Sequence, residues 1–358
     1  MEHTPGLDIP LTIDSVAFGG KGVSRLADGK VCFVPGVIPG EKVTVKLGKV
    51  RKSFAEAELV KILESSPDRV KAPCPVFGRC GGCQYQHINY ARQLEIKRQQ
   101  VFDVLQRLGG VKEPPVEETI GSPHEYDYRN RITVHVRNRK LGFFSEASSR
   151  IVEVSHCPIA TDQVNGLLKE LKALHPQDGE YPLREPGEFR GFRQVNDSVA
   201  GTLLEVAEEM AQPGGCLLID AFCGAGFFAK QLRGLFKLIV GIEWSADAVR
   251  AARQGVRDDE IYLLGDVKTH LRPAFMAAAA AGTTLLLDPP SEGVDPEITE
   301  AILERLPQRI IYVSCNPPTL ARDLKRLSGA YELKRARPID MFPQTAEIEV
   351  VALLELKS

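Results

Sequence analysis

The chain has 358 residues, of which 43% are hydrophobic and 26% charged, and its formal net charge is −2. This composition excludes a disordered or fibrous chain and predicts a globular protein of two or three domains. The first ten residues, MEHTPGLDIP, lack the basic and apolar regions of a signal peptide, and no apolar run is long enough for a membrane span. We therefore expect a cytoplasmic protein without membrane contact, and a monomer.

The charges are distributed unevenly along the chain. Residues 1–150 contain 23 Lys and Arg against 17 Asp and Glu, whereas residues 151–358 contain 22 against 30. A basic first part followed by an acidic second part is typical of a nucleic-acid-binding module joined to another domain. Solvated surfaces of two unrelated domains would give the same pattern, so charge alone leaves both interpretations open.

Short strands separated by turns are predicted over residues 9–62. Apolar and polar residues alternate in Lys42–Leu47 and Glu56–Ile62, and Asp28-Gly29 is a hairpin signal. Five short strands in this length predict a first domain, residues 1–62, that is a small β-barrel of the OB type. Such barrels often bind nucleic acid, and a merely solvated surface is the alternative. The basic residues of its second half are Lys42, Lys46, Lys49, Arg51, Lys52 and Lys61.

A second domain of mixed α and β structure is predicted over residues 63–185. A helix is expected over residues 90–108, and a strand pair over residues 129–137 and 140–144. Alternate residues of the first strand are apolar, so one face is predicted to join the core. The other face, a candidate contact for phosphates or bases, carries Thr133, His135 and Arg137.

Four cysteines of this second domain form a possible metal site. Three follow the spacing Cys74-x5-Cys80-x2-Cys83, and the fourth is the distant Cys157. In a cytoplasmic chain such thiols are reduced, catalytic or metal-bound, and four thiolates suit zinc or an iron–sulfur cluster. A zinc ribbon usually has two CxxC pairs and this chain has one, so zinc is the weaker alternative and free thiols are a third.

Residues 186–358 are predicted to form an α/β domain with a doubly wound parallel sheet. Short apolar runs alternate with helical stretches, and most of the runs end in a polar or acidic residue. The runs are CLLIDAF, KLIVGIE, IYLLGD, TTLLLDPP and RIIYVSC. The tail EIEVVALLEL is predicted to be a last strand, antiparallel and at the edge of the sheet.

A cofactor site is predicted where the first three of these strands end. The segment Asp220–Gly226 follows a strand and opens a helix, and Gly224 and Gly226 let the backbone approach a ligand closely. The third glycine of a dinucleotide fingerprint is missing, whereas the segment fits a class I methyltransferase. Glu243 can bind both ribose hydroxyls and Asp266 lies where the adenine is expected. The segment therefore predicts S-adenosylmethionine as cofactor.

Two further polar segments follow the fourth and fifth strands. Asp288-Pro-Pro ends the fourth, and Ser314-Cys315-Asn316-Pro317 ends the fifth, so both face the same crevice. A cysteine in a polar turn just past a strand end is placed as a nucleophile. The alternative is that Cys315 is a small buried hydrophobic residue, as we expect for Cys216.

Several segments together resemble the RNA uracil-5 methyltransferases. They are DAFCGAGF, DPP and SCNPPTLARDL, with FRQVN at 192–196 and MFPQTAEIE at 341–349, and the N-terminal barrel is similar to the family's TRAM domain. The resemblance implies a Rossmann-like class I methyltransferase domain that uses S-adenosylmethionine, with Cys315 as nucleophile and Glu349 as general base. It implies a 4Fe–4S cluster on the four cysteines, and contacts to cofactor or substrate from Gln194, Phe222, Glu243 and Asp288.

Three other functions fit the motifs less well. A radical methylthiotransferase also joins a TRAM domain to a cluster, but it needs CxxxCxxC and would leave SCNP unexplained. An amino-group methyltransferase needs an aromatic residue after its DPP-type motif, where this chain has Ser291. A non-enzymatic RNA-binding protein would have no use for Cys315, Glu349 and Asp288. The expected substrate is RNA, with ribosomal RNA favoured over transfer RNA.

Overall fold

The structure is a computed structural model that describes residues 6–146, 148–186 and 194–357. The chain divides into two compact units. Unit 1 contains residues 1–100, 124–185 and 342–346, and unit 2 contains residues 101–123, 186–341 and 347–358. The finer division into three domains stays a prediction.

The first sheet of unit 1 has six strands, one more than predicted, because a two-residue strand precedes the first hairpin. Its strand order is β1-β5-β6-β4-β3-β2. Alternation along β5 buries Val43, Val45 and Leu47 and leaves Lys42 and Lys46 exposed, as predicted. The strands are β1 (Asp8–Thr12), β2 (Ser15–Val16), β3 (Gly22–Arg25), β4 (Val31–Val34), β5 (Lys42–Val50) and β6 (Phe54–Glu64).

Besides the first sheet, unit 1 contains the beginning of a first helix, a second helix and a second sheet. Helix α1 (Tyr90–Arg107) agrees with the predicted helix to one residue. The second sheet is antiparallel in the order β10-β7-β8-β9, and helix α2 (Asp162–Ala173) packs its Val164 and Leu168 into the sheet's core. The strands are β7 (Arg131–Arg137), β8 (Lys140–Ser145), β9 (Ser148–Glu153) and β10 (Gly179–Arg184).

Unit 2 contains a seven-stranded sheet in the order β13-β12-β11-β14-β15-β17-β16. Its first five strands are parallel, as the alternation of apolar runs and helices predicted. The strands are β11 (Gly215–Ala221), β12 (Phe236–Glu243), β13 (Glu260–Leu264), β14 (Thr283–Leu287), β15 (Arg309–Ser314), β16 (Tyr331–Ile339) and β17 (Glu349–Leu356). The helices are α3 (Asp197–Ala211), α4 (Phe227–Leu232), α5 (Ala246–Ala252), α6 (Val267–Ala274), α7 (Pro296–Arg305) and α8 (Pro317–Leu327), with 3-10 turns at Phe275–Ala277 and Ala280–Gly282.

The place of the last strand differs from the prediction. Strand β17 is antiparallel, as expected, but it lies between β15 and β16 and does not form the edge. Its first six residues, EVVALL, are buried, which suits a strand covered on both faces. The last strand position belongs to β16, and the segment 115–120 covers its outer side: the N–H of Glu117 donates to the carbonyl of Ala336 at 2.9 Å, and that of Ile120 to the carbonyl of Pro338 at 3.0 Å.

No helix in the described ranges is long and apolar enough to cross a membrane. In the sheet of unit 2, the carboxyl ends of β11, β12, β14 and β15 lie side by side because these strands are parallel neighbours. The amino end of β17 lies at the same edge because this strand runs antiparallel to β15. The residues that follow or begin these strands therefore share one crevice.

Candidate active site

The turn after β11 exposes its backbone to this crevice. Phe222, Gly224 and Gly226 have φ angles of 68°, 54° and 81°, in the left-handed region where glycine is favoured. A side chain at Gly226 would come within 3.1 Å of the Tyr262 hydroxyl, so the turn has no room for one. Phe222 adopts the same region at a conformational cost, as residues at functional turns often do. The turn is therefore shaped for close approach of a ligand.

Glu243, the last residue of β12, is held in place by two backbone groups. The N–H of Gly224 donates to Oε2 at 3.1 Å and the N–H of Ser245 donates to Oε1 at 2.8 Å. Each carboxylate oxygen can accept a second bond, so the pair remains available to two neighbouring hydroxyls. This arrangement fits the predicted binding of an adenosyl ribose.

Asp266 and Gln194 lie at the ends of their own elements. Asp266 lies two residues beyond β13, and its Oδ1 accepts from the N–H of Lys268 at 2.9 Å as the N-cap of α6. Asp266 is exposed, and its hydrogen bonds do not show the predicted contact with adenine. Gln194 is half-buried shortly before α3, while Phe192 and Arg193 of the same motif lie outside the described residues. The roles of both residues stay predictions.

Trp244, which the sequence analysis missed, follows Glu243 directly. Its side chain is 77% exposed, and it is the single tryptophan of the chain. An exposed tryptophan next to a carboxylate that is predicted to bind ribose offers a flat apolar surface to an adenine ring. A large aromatic residue immediately after the acidic end of a strand is the signal that could have identified it.

Asp220 is fully buried at the end of β11, beneath the crevice. Its Oδ2 accepts from the N–H of Ala229 at 3.0 Å, whereas its Oδ1 has no hydrogen-bond partner among the described residues. Burial, and then the carboxylates of Asp288 and Glu243, raise the pKa of Asp220 to about 8. Burial also raises the pKa of Asp288 to about 7. Three carboxyl groups this close favour a cationic ligand, and S-adenosylmethionine carries a sulfonium and an ammonium group.

The register of β15 and β17 brings Cys315 and Glu349 together. Ser314 pairs with Val350 across these antiparallel strands, so the next residues, Cys315 and Glu349, face each other beyond the last pair. Cys315 is exposed to the crevice and Glu349 is buried. The sequence placed Cys315 correctly past a strand end, but the opposing strand that supplies Glu349 follows from the tertiary fold.

The turn that carries Cys315 is fixed by hydrogen bonds to the neighbouring loop. The amide of Asn316 donates to the carbonyl of Ser291 at 2.9 Å, and the hydroxyl of Thr319 donates to the same carbonyl at 3.1 Å. The N–H of Asn316 donates to the hydroxyl of Ser314 at 3.1 Å. The turn after β15 is therefore tied to the segment that follows Asp288.

The charges around Cys315 are negative. Burial, and then the carboxylates of Glu349 and Asp288, raise the pKa of the Cys315 thiol to about 11. Burial and the Asp288 and Glu347 carboxylates raise the pKa of Glu349 well above its usual range. The amino end of α8 begins at Asn316 and acts in the opposite direction by favouring a thiolate. A carboxyl with a raised pKa is a stronger base than an exposed one.

The four cysteines of unit 1 line one cavity of about 240 Å³. Two of their loops are held by amide side chains: the N–H of Cys74 donates to Gln86 Oε1 at 3.1 Å, and the N–H of Cys157 donates to Asn165 Oδ1 at 2.8 Å. Burial raises the pKa of Cys83 to about 12 and that of Cys157 to about 11, with a smaller contribution from the neighbouring thiols. The sequence prediction that the four thiols share one place is thus supported.

The cysteines line the walls of this cavity. Within residues 6–146, 148–186 and 194–357, no group of three His, Cys, Asp or Glu side chains has the geometry of a metal site. The donor set suits a thiolate-bound cluster in number and type. The cluster stays a prediction.

Of the predicted site residues in unit 2, the structure brings six to the same crevice. Phe222 and Gly224 form the turn, Glu243 binds that turn, and Asp288, Cys315 and Glu349 interact electrostatically. The buried Asp220 connects the two halves because its pKa responds to both Glu243 and Asp288. Gly226 caps α4 behind the turn.

Comparison with known proteins identifies two regions of the chain. Residues 276–357 match the family described as tRNA (Uracil-5-)-methyltransferase, and residues 3–60 match the TRAM domain. The first region contains both Cys315 and Glu349, and the second coincides with the strands β1–β6 that begin unit 1.

Relatives of the whole chain are found among bacterial proteins. An uncharacterized RNA methyltransferase of Gloeobacter violaceus is 32% identical over 98% of this chain and 97% of its own length. A protein of the same description from Bdellovibrio bacteriovorus is 33% identical, covering 99% of this chain and 96% of its own length. The sequence likeness therefore extends over both units.

A solved structure has the same fold over nearly the whole chain. It is the Pyrococcus abyssi tRNA (uracil-54, C5)-methyltransferase in complex with S-adenosyl-L-homocysteine, with a TM-score of 0.72, 23% identity, and coverage of 97% of this chain and 100% of its own. The fold, the full-length relatives and the two matched regions confirm the resemblance and the α/β architecture predicted from the sequence. The chain belongs to the RNA uracil-5 methyltransferases, the family of enzymes that methylate carbon 5 of uracil in RNA with S-adenosylmethionine.

Proposed function

We propose that this enzyme methylates one uridine of RNA through a covalent bond between Cys315 and carbon 6 of the uracil. Carbon 5 of uracil is too weak a nucleophile to attack a methyl group directly. Addition of the Cys315 thiolate to carbon 6 forms a C–S bond and moves an electron pair towards carbon 5, which becomes nucleophilic. Carbon 5 then forms a bond to the methyl group that the bound cofactor would supply. The methyl–sulfur bond breaks, its electron pair goes to the positively charged sulfur, and the neutral thioether S-adenosylhomocysteine leaves.

Glu349 acts after the methyl group has been transferred. Its carboxylate takes the remaining proton from carbon 5, the electron pair re-forms the carbon 5–carbon 6 double bond, and the bond from Cys315 to carbon 6 breaks. The thiolate and the methylated uracil are released, so atoms and charges balance. Asp288 and Glu243 bind and orient the cofactor from the turns after β14 and β12.

One observation carries this proposal: the β15–β17 register places the Cys315 thiol opposite a buried carboxyl whose pKa is raised. A nucleophile and a base on the same side of a crevice are the minimum set for this reaction. Glu349 is buried, and the neighbouring side chains that shift its pKa are all acidic. It is therefore a strong base when ionised. An amino-group methyltransferase would need neither residue.

Two single variants separate the two roles. Cys315→Ala should abolish both methylation and covalent attachment of RNA, because no adduct can begin. Glu349→Gln should permit addition and methyl transfer and stop the release step, so that methylated RNA stays bonded to Cys315. The measurement is a denaturing gel of enzyme incubated with substrate RNA and labelled cofactor.

The Asn316→Ala variant serves as a matched control, because it alters the same turn without removing the nucleophile or the base. It should lower the rate but leave no accumulated adduct. If Glu349→Gln yields neither product nor adduct while its thermal unfolding is unchanged, Glu349 is needed before bond formation and the proposed order of steps is wrong.

For the substrate we propose ribosomal RNA, with transfer RNA as the alternative outcome. The combination of a TRAM domain with a four-cysteine set favours this choice. The solved structure with the same fold belongs to a tRNA enzyme, but a likeness at 23% identity extends to the fold alone. Nucleoside mass spectrometry with site mapping, on RNA from cells with and without the gene, decides between the two: a 5-methyluridine lost from tRNA would overturn our choice.

We also propose that Cys74, Cys80, Cys83 and Cys157 hold a 4Fe–4S cluster with a structural role. The cluster supplies no electron to the reaction above, which has no redox step. Protein purified without oxygen should be brown and contain about four irons per chain. Cys83→Ser should lose the iron, whereas Cys216→Ser should keep it. Cys216 lies outside this set and is exposed, so the burial expected for it from the sequence was wrong. Stoichiometric zinc without iron would contradict the proposal.

A further inference from the structure

The face of the second sheet that points away from α2 carries an aromatic stack. The His135 ring on β7 and the Phe144 ring on β8 lie 4.1 Å apart, at an angle of 27°. The Arg137 guanidinium carbon lies 5.0 Å from the centre of the same Phe144 ring. Three planar groups thus form one continuous stack, which we call the stacking face, defined by His135, Arg137 and Phe144.

The strand register explains how this stack forms. Gly142 pairs directly with His135, and the Phe144 ring, two residues further along β8, lies against the His135 ring. The preceding residue, Phe143, packs into the sheet's core on the other side. The His135 side chain is 20% exposed and Phe144 is half-buried, so the stack is accessible at its outer edge.

The charge around the stack suits a polyanion. Strands β7–β10 carry five Lys and Arg against two Glu, and Arg139 in the β7–β8 turn adds a further positive charge. Glu180 and Glu153 lie 3.8 Å from His135 and Lys140 respectively, so they offset part of this charge. The basic residues of the strands are Arg131, Arg137, Lys140, Arg150 and Arg184.

The stack is also joined to a cysteine loop. The N–H of Gly81 donates to the carbonyl of Phe144 at 3.0 Å, and Cys80 forms an antiparallel bridge with Ser145. The backbone that presents Phe144 is therefore held by the loop that contains Cys80 and Cys83. Ordering of this loop fixes the end of β8 and with it the stack.

We propose that the stacking face binds one unpaired base of the RNA, which extends the His135–Phe144 stack while Arg137 contacts the adjoining phosphate. Proteins bind single-stranded RNA by stacking its bases on aromatic rings and guanidinium planes beside a basic surface. A sheet face with aromatic side chains on two neighbouring strands has this construction. The inference rests on RNA as the ligand of the proposed function and adds a binding site away from the reacting uridine.

The test measures binding and needs no methylation. The full chain, purified with its metal, is titrated into a fluorescein-labelled single-stranded RNA of mixed sequence at several salt concentrations, with fluorescence anisotropy as the readout. Phe144→Leu should weaken binding roughly 5- to 150-fold, the usual range for loss of one stacked base, without altering the salt dependence. Arg137→Gln should instead reduce the slope of log affinity against log salt by about 0.7.

Phe143→Leu is the matched control, because it makes the same change one residue away on the core side of the strand. It should cost stability and leave RNA affinity within about twofold. Thermal unfolding of each variant verifies its fold, and His135→Gln repeats the test if Phe144→Leu does not fold. The inference is overturned if Phe144→Leu binds RNA as the unmodified chain does, or loses no more affinity than Phe143→Leu, as it would if the face bound a protein.

The same titration, combined with a measurement of 5-methyluridine formation, separates this inference from the proposed function. If the enzyme forms no 5-methyluridine but Phe144→Leu still weakens RNA binding, the stacking face is supported and the proposed reaction is refuted. If the enzyme forms 5-methyluridine and Phe144→Leu binds RNA as well as the unmodified chain, the reaction is supported and the stacking face is refuted.

Discussion

At the scale of single residues, the surroundings of Cys315 favour the protonated form of its thiol. Its pKa of about 11 arises from burial and from the Glu349 and Asp288 carboxylates. At neutral pH few molecules carry the thiolate, so the resting enzyme is protected from alkylation and oxidation. We expect the positive charge of the bound cofactor to act against this shift.

Removing one of these carboxylates should make the thiol more reactive. We expect Cys315 of the resting enzyme to react slowly with iodoacetamide at pH 8 and faster as pH rises towards 10. Glu349→Gln should accelerate the reaction at pH 8 roughly 3- to 10-fold, because each unit by which the pKa falls gives ten times more thiolate. Mass spectrometry of the Cys315 peptide measures the rate.

Glu347→Gln is the control for this effect, because Glu347 is exposed and is the weakest of the contributors to the Cys315 pKa. It should accelerate alkylation less than Glu349→Gln does. Equal rates for the unmodified chain and Glu349→Gln over this pH range would show that Glu349 does not act on the thiol.

The position of Trp244 makes cofactor binding visible. Because it is the single tryptophan and lies 77% exposed beside Glu243, we expect S-adenosylhomocysteine to quench its fluorescence in a saturable way. Glu243→Ala should shift the same titration to higher concentration by weakening the ribose contact. Unchanged emission at cofactor concentrations that calorimetry shows to be saturating would remove Trp244 from the site.

Residue types at strand ends were predictable, and their partners were not. The positions of Glu243, Asp288 and Cys315 follow from the rule that parallel sheets bind ligands at their carboxyl ends. The pairing of Cys315 with Glu349 depends on where β17 enters the sheet, which local sequence does not specify. Trp244 was missed because an exposed tryptophan has no periodic signal.

At the scale of elements, the end of β11 contains a buried carboxyl, that of Asp220, which costs stability at neutral pH. The folded state raises the pKa of Asp220 from near 4 to about 8, so it binds the proton more tightly than the unfolded chain does. The stability contributed by this group is fully present below pH 4 and is lost as pH rises through about 8. The ionised Asp220 carboxylate thus lowers the stability of the folded state, and a cationic ligand can reduce this free-energy cost.

Asp220→Asn should remove this dependence. An amide keeps the oxygen that accepts from the Ala229 N–H but has no charge to desolvate. We expect the variant to gain free energy of unfolding relative to the unmodified chain between pH 5 and pH 8, measured by urea denaturation without cofactor. A relative stability that stays constant, or falls, across this range would show that the folded state does not raise the pKa of Asp220, as when its carboxylate is paired with a positive charge.

The elements themselves were largely predictable because their periodicity is strong. The alternation in β5 and β6, the length of α1 and the apolar runs β11–β15 all lie where the sequence indicated. Strand β16 was missed because charged residues interrupt its apolar positions, and β17 was therefore assigned to the edge. The short β2 carries too few residues for any pattern.

At the scale of the whole molecule, the β1–β6 sheet is expected to bind RNA through its exposed lysines. Of these, Lys46 pairs in register with Asp8 and Glu58 on the neighbouring strands, which offset part of its charge. Lys42 forms an ion pair with Glu64 at 2.9 Å, whereas Lys46, Lys49 and Lys52 are exposed. Replacing these three together by Gln should weaken RNA binding and reduce the salt slope by about 2. S-adenosylmethionine affinity should not change.

The Lys42→Gln variant is the control, since the charge of Lys42 is already offset. Point substitutions are preferable to deletion of residues 1–62, because Val16 and Ile38 pack with Tyr85 and Ile88 in one buried cluster of unit 1. An unaltered salt slope in the triple variant would show that these lysines are only solvated.

The account as a whole depends on a covalent bond from Cys315 to the substrate uracil, and one measurement tests it most directly. RNA in which 5-fluorouridine replaces the target uridine is incubated with enzyme and S-adenosylmethionine, digested, and examined by mass spectrometry. Fluorine cannot leave carbon 5 as a proton does, so the account predicts a stable, methylated fluorouridine adduct on the Cys315 peptide, absent in Cys315→Ala. No adduct in the presence of cofactor, or an adduct on another residue, would contradict it.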